Sequence, residues 1–306
     1  MSERLNAETP VAISTPSARS RARSLLTDAG AIFGILVLGL ILLVAITADL
    51  IAPYSPSEQA LELRRAGPSV EHLLGTDGLG RDILSRLMFG ARATLFGGAV
   101  AVSISLAVGV PLGLFAGFRG GWIEAATMRA MDVLLAFPSF LLAIVIVAIL
   151  EPNLQNAAVA IGVAGIPAFA RVVRGSVLSV RGRDYILAAV GSGAGDMRLM
   201  TRYVLPNVVG PILVLGTLSL GTAVLSIAGL SFLGLGAQPP APEWGVMLRD
   251  GRDYLREAPH ITLWPGIAIM LLVLSFNLLG DAVQDQLNPQ SRRRLTGGKL
   301  LETAYE

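Results

Sequence analysis

No cysteine occurs in this chain of 306 residues. Disulfides, thiolate nucleophiles and Cys-ligated metals are therefore excluded. Histidine is nearly as scarce: His72 and His260 are the only two, and they form no His-Glu-x-x-His zinc motif. The single lysine, Lys299, is followed by Leu300. That removes the Gly-x-x-x-x-Gly-Lys-Ser/Thr loop, in which a lysine and backbone N–H groups hold nucleotide phosphates. Charge is thin as well, at 15% of residues against roughly 25% in soluble domains. No cofactor and no nucleic-acid partner is expected.

Apolar residues fill the space instead. The chain is 53% hydrophobic, with mean hydropathy +0.64, which marks a protein whose solvent is largely the lipid bilayer. Apolar runs lie at Ala31–Ile51, Thr94–Phe118, Val133–Leu150, Asn156–Ala170, Val208–Leu235 and Ile261–Leu279. Most are close to the length of about 20 residues that crosses a hydrocarbon core. An all-α, polytopic fold of about six transmembrane helices is predicted. The fourth run is broken by glycine and proline and is open to a re-entrant path. Pro111, Pro138, Pro167 and Pro265 either break spans or are kinks repaired by neighbouring helices. The first run is too long for a signal-peptide core and reads as a retained anchor. Residues 1–29, rich in Ser, Ala, Thr and Arg, are predicted as a disordered cytoplasmic tail, 30–290 as the membrane domain and 291–306 as a second cytoplasmic tail.

Arginine sets the orientation, because basic residues concentrate in cytoplasmic loops. One alternating set of segments holds sixteen of the 24 basic residues, among them Arg119, Arg129, Arg171, Arg174, Arg181, Arg183, Arg198 and Arg202. The other holds eight, interleaved with acidic residues such as Asp77, Asp82, Glu243, Asp250 and Asp253. Both termini and residues 171–206 are therefore expected on the cytoplasmic side of the cell membrane. The longer loops, about 52–92 and 236–260, are expected outside.

Within the cytoplasmic set, DYILAAVGSGAGDMRLMTRYVLPN, Asp184 to Asn207, is neither apolar enough to span nor patterned like a soluble domain. Asp184–Ala189 suits a short helix, and Gly191, Gly193 and Gly195 interrupt it. Asp196 is placed to cap a second helix, Met197–Leu205, with Leu199, Tyr203, Met197 and Met200 as its apolar face and Arg198 and Arg202 on another. Pro206 closes that helix. The pattern fits a knob that enters another protein's groove, and fits an ordinary amphipathic interfacial loop as well.

The same stretch resembles the EAA loop of bacterial ABC-importer permeases. Ala188 and Ala189 match the alanine pair, Gly193 the glycine and Leu205-Pro206 the ending, while Leu187 stands at the usual glutamate. HLLGTDGLGRDILSRLMFGARATL, AGLSFLGLGAQPPAPEWGVMLRDGR and PGIAIMLLVLSFNLLGDAVQDQLNP extend the similarity to the dipeptide/oligopeptide subfamily across most of Glu71–Pro289. The resemblance implies a type I ABC-importer permease fold and one half of a translocation pathway. It also implies its partners: a second homologous permease, two cytoplasmic ABC ATPase subunits or one fused pair, and an extracytoplasmic solute-binding protein. Asp184, Tyr185, Ala188, Ala189, Gly193, Asp196, Arg198, Leu205 and Pro206 become the candidate ATPase-coupling residues. Such a subunit moves solute and hydrolyses no ATP itself.

Two outer stretches carry further candidates: Gly75, Thr76, Asp77, Gly80, Arg81 and Asp82 in one, Trp244 and Gly245 in the other. Their mixture of turn glycines, charge and an aromatic suits contact with a binding protein or the pathway mouth. It equally suits packing of the two loops on each other as an external cap. GTDGLG, Gly75–Gly80, looks like a phosphate loop but has no lysine, and reads as a turn. An intramembrane enzyme built on Ser231 and an ion-coupled carrier using Asp132 or Asp281 are the rival functions.

Overall fold

The computed structural model describes residues 28–287. Residues 1–27 and 288–306, with Arg4, Arg19, Arg21, Arg23, Arg292, Arg293, Arg294 and Lys299, lie outside these residues, while Asp28 and Ala29, assigned to the first tail, instead cap and begin the first helix. Nine helices follow in order, with two short 3-10 turns, Leu61–Leu63 and Arg252–Tyr254, among the described residues. They are α1 Ala29–Ile51, α2 Ile83–Arg119, α3 Gly121–Leu135, α4 Ser139–Leu150, α5 Leu154–Arg181, α6 Asp184–Gly191, α7 Asp196–Phe232, α8 Trp244–Gly251 and α9 His260–Leu287. The described residues contain no strand, only an isolated bridge between Thr76 and Asp82.

Five helices (α1, α2, α5, α7 and α9) are long and apolar enough to cross a membrane, and a sixth crossing results if α3 and α4 count as one. The third apolar run is thus the broken one. Residues 136–138 are not helical, and the two halves meet at 84°. Pro138 lacks an N–H and disfavours helical angles at Phe137, so the helix stops before it. Pro111, Pro167 and Pro265 all lie inside continuous helices.

The fourth run is no re-entrant loop: α5 is an uninterrupted helix of 28 residues. Its low apolarity follows from its location, since it is the most buried of the spans and rests on protein rather than lipid. Its main partner is α2, along Gly109, Gly113 and Gly117, a small-residue repeat at four-residue spacing. A Cβ on Gly113 would lie 2.4 Å from the carbonyl oxygen of Ala170. Only glycine permits that backbone approach. Ser105 Oγ, donating to the Gly162 carbonyl at 2.7 Å, joins the same two helices.

The first span shows the opposite balance. Leu36, Leu40, Leu43, Ile46 and Leu50 of α1 are exposed, while Ala31, Gly34, Ala45 and Ala48 are buried. A narrow small-residue stripe therefore faces α9 and α2, and the rest is surface for lipid. Arg92 of α2 donates to the Ile46 carbonyl at 3.0 Å and to Asp49 at 2.7 Å, satisfying the end of α1.

Candidate functional site

Residues 52–82 and 233–259 meet at one end of the bundle and form a cap. Asp77 organises it. Its Oδ1 accepts from the backbone N–H groups of Leu79 and Arg81 at 2.8 and 3.0 Å. Its Oδ2 accepts from Arg81 Nε at 2.6 Å and lies 3.5 Å from Arg86 Nε. The N–H groups that a phosphate would need are thus already occupied by the loop's own carboxylate. GTDGLG is a turn held from within, with Gly80 at φ +75°, where an added Cβ would lie 1.8 Å from the Ala60 carbonyl oxygen.

The same residues tie the two loops together. Arg81 Nη2 reaches Asp250 of α8 at 3.3 Å, and Arg86 Nη1 donates to the Pro56 carbonyl at 2.9 Å. Asp82 caps α2 through Ser85 N at 2.7 Å and pairs with His72 Nδ1 at 3.0 Å. Trp244 Nε1 donates to the Leu87 carbonyl at 3.0 Å. Gly75, Thr76, Asp77, Gly80, Arg81, Asp82, Trp244 and Gly245 are all buried. In this conformation they pack the loops onto each other and present no side-chain surface to a partner. The exposed surface of the cap belongs instead to residues such as Leu61, Val70, Leu73 and Leu255.

Glu243, which the sequence did not single out, is fully buried beneath the cap. It caps α8 by accepting from Val246 N at 3.1 Å, and Thr94 Oγ1 approaches it at 3.4 Å. Burial raises its pKa above the ordinary glutamate value, and the hydrogen bonds from Gly245, Ser231, Val246 and Thr94 offset part of the rise. Ser231 Oγ accepts from Ala237 N at 3.2 Å. His72 and His260 are engaged with Asp82 and the Thr76 carbonyl rather than with Ser231. Asp132 pairs with Arg171 at 2.5 Å, both half-exposed.

At the opposite end, α6 stands beside the start of α7. Ile186 and Ala189 are buried, and Ile186 joins Val173, Val177, Val180, Val204 and Val208 in one apolar cluster. Asp184, Tyr185, Leu187, Ala188, Val190 and Met197 are exposed. One face of α6 is therefore anchored and the other is open. Gly193 ends the helix in the left-handed region at φ +81°. Its N–H reaches the Val190 carbonyl at 2.9 Å, and that of Ala194 reaches Ala189 at 3.1 Å, closing a Schellman motif. Gly191 lies in the helix and Gly195 at φ −71°, so one glycine makes the corner, not three.

The second half differs from the expected helix. Asp196 makes no cap and instead pairs with Arg119 at 2.9 Å. Nor does Pro206 close anything: Leu199–Val204 is a π-helical stretch that runs on into Leu205–Phe232. The wider turn offers a route past the N–H that Pro206 lacks. Leu199 and Met200 are buried as expected, Leu205 half-buried, and Arg198 and Pro206 exposed. Met197, placed on the apolar face by the sequence, is exposed instead. Arg181 Nη1, donating to the Gly117 carbonyl at 3.0 Å, and the Arg174–Glu124 pair bind the ends of α2, α3 and α5 beneath this corner.

Comparison with known proteins now bears on both ends. Residues 109–293 match the family described as binding-protein-dependent transport system inner membrane component, and residues 18–68 match the N-terminal TM domain of oligopeptide transport permease C. A dipeptide transport system permease protein of Alkalihalophilus pseudofirmus is 46% identical over 262 residues, covering 86% of each chain. A glutathione transport system permease protein of Escherichia coli is 46% identical over 252 residues, 82% of this chain and 83% of that one. In fold, a chain of the inward-facing MetNI methionine ABC transporter superposes with TM-score 0.57 at 18% identity, covering 67% of this chain and 98% of that chain. The chain is a multi-pass membrane protein and belongs to the binding-protein-dependent transport system inner membrane components, the permeases of ABC importers.

Proposed function

We propose that this permease forms one half of the pathway of an ATP-driven importer of short peptides, with a second homologous permease as the other half. Its further partners are two ATPase subunits, or one fused pair, and an extracytoplasmic binding protein. Dipeptides or glutathione are the solutes that the relatives' names suggest. The ends of the chain and residues 171–206 face the cytoplasm, as the arginine distribution suggests, and the cap faces outward. ATP hydrolysis takes place on the partner subunits.

One observation carries the coupling assignment: α6 is fixed to the bundle by Ile186 and Ala189 while Tyr185, Leu187 and Val190 stand open on its other face. A short helix so held transmits a push to α5 and α7 instead of absorbing it. Movement of the ATPase subunits against this face tilts the spans and opens the pathway alternately to either side. The buried outer residues, Asp77, Arg81, Asp82 and Trp244 among them, serve by keeping the cap in one shape for the binding protein to meet.

The absence of cysteine makes orientation directly testable. Ser192→Cys should react with an impermeant thiol reagent only in inverted vesicles, and Leu73→Cys only in intact cells. Labelling of Ser192→Cys from outside would overturn the orientation. Uptake of dialanine and glutathione by cells expressing the permease with its partner genes tests the solute.

A further inference from the structure

Halfway along the spans, α2, the α3–α4 elbow, α5 and α7 enclose a recess of about 260 Å³. Its wall includes Ser139, Ser219, Thr222 and Ser226 and no charged side chain. On α7 the three hydroxyl residues recur at three- and four-residue steps, so they share a face. Thr222 Oγ1 donates to the Ser219 carbonyl at 3.0 Å and Ser226 Oγ to the Thr222 carbonyl at 2.8 Å. Their oxygens keep lone pairs to accept from something else.

The elbow points the same way. Residues 136–138 are exposed and non-helical, and Pro138 gives α4 no side-chain cap. The first N–H groups of a helix have no partner within it, and hydrocarbon supplies none, so irregular backbone at this depth requires protein or water beside it. A different groove, about 580 Å³ between α7 and α9, is lined by Leu225, Phe232, Ile269, Met270 and Leu274, with Asn277 its one polar side chain. That groove is apolar as a lipid tail or another helix requires. The recess is not.

We infer that the recess is this chain's wall of the solute path, and that Ser139, Ser219, Thr222 and Ser226 are the positions a peptide touches in transit. The inference rests on the import function proposed above. A wall without charge favours no particular side chain, while hydroxyl oxygens accept from any backbone N–H or terminal ammonium. The class of solute that fits is the short peptide of varied sequence.

Single cysteines at 219, 222 and 226 test this in the complete transporter, reconstituted with its ATPase and binding-protein partners. The cysteine thiolate attacks a hydrophilic methanethiosulfonate reagent, forming a mixed disulfide and releasing methanesulfinate, and an apolar setting suppresses that thiolate by about tenfold for each unit that it raises the thiol pKa. Ser219→Cys, Thr222→Cys and Ser226→Cys should react at least about tenfold faster than Leu225→Cys and Met270→Cys. Their rates should change when dialanine and ATP are added, and labelling by a bulky reagent should stop dialanine uptake. Because labelling follows assembly, loss of uptake reports the path and not folding. Reaction no faster than at Leu225→Cys, or full uptake after complete labelling, would overturn the assignment. If the unmodified complex moves neither dialanine nor glutathione, it is the peptide-import function that fails, whichever cysteines react.

Discussion

Arg119, the last residue of α2, and Asp196, the first of α7, form an ion pair of 2.9 Å. The pair spans the mouth of the corner at Gly193 and links it to a helix 77 positions earlier in the chain. Both side chains are about half exposed, so solvent screens the attraction and the pair contributes at most about 1 kcal/mol to stability. Its effect should therefore be on coupling. Arg119→Asp and Asp196→Arg are each expected to leave permease abundance unchanged and lower peptide-stimulated ATP hydrolysis by the assembled transporter. The double exchange should restore much of it. A double exchange as inactive as the single variants would show that the pairing is not what matters.

The cap should behave differently, because its charges are buried. Removing Arg81 leaves the Asp77 carboxylate with Arg86 at 3.5 Å as its remaining cationic partner. Breaking a buried pair costs up to about 3–5 kcal/mol when the remaining charge has no other partner, and Arg86 offsets part of that here. Arg81→Ala should thus lower the thermal stability of the purified permease in detergent and its abundance in the membrane. Val70→Ala and Leu73→Ala, at exposed positions of the cap, should stay within about 0.5 kcal/mol of wild type. If these two variants, normally abundant, bind the solute-binding protein more weakly, the exposed surface is the docking face. A direct contact through Arg81 requires the reverse: normal stability and lost affinity.

Spans and fold class were legible because an apolar run of membrane length has few other interpretations; all six runs reappear, with α3 and α4 together accounting for the third. A glycine corner after Asp184–Ala189 was legible too, but the pattern did not say that Gly193 alone of the three glycines makes it. What escaped were features decided by three-dimensional neighbours. Whether Pro138 or Pro167 breaks its helix depends on what lies beside it, and Pro167 is packed within the buried face of α5. Arg81 and Trp244 left a contact surface and a packed cap equally open; the fold decides for packing, because Asp77, Asp250 and the Leu87 carbonyl meet them. Glu243 carried no sequence signal beyond its place ahead of a short helix.

Glu243 gives the cap a pH dependence. Its pKa is raised in the folded chain by burial, so the folded state holds the proton more tightly than the unfolded one. The stabilisation from that proton is fully present below the ordinary value of 4.5 and is lost as pH rises through the elevated folded value. Glu243→Gln keeps the amide oxygen for Val246 N and cannot ionise. Its melting temperature should fall less than wild type's between about pH 5 and about pH 8. Parallel profiles for the two proteins would mean that Glu243 does not titrate over this range.

Gly193 offers the sharpest test of the corner. Its φ of +81° is one that side chains with a Cβ rarely adopt, yet nothing lies within 4 Å of where a Cβ would stand. Any penalty therefore comes from the backbone alone, about 1–2 kcal/mol for a residue forced into the left-handed region. A β-branched residue should suffer most, and asparagine, which tolerates that region, least. The spans do not depend on this corner, so Gly193→Val should insert at normal abundance and still meet the binding protein. Its peptide-stimulated ATP hydrolysis and its uptake should fall, with Gly193→Asn intermediate. Gly191→Ala, inside α6 with open space around it, should leave both near wild type. The comparison of Val with Asn at position 193 separates a requirement for backbone angle from one for a small side chain, since the second alone would make Gly193→Asn as inactive as Gly193→Val. Wild-type uptake and stimulated hydrolysis in Gly193→Val would reduce the segment to an interfacial loop.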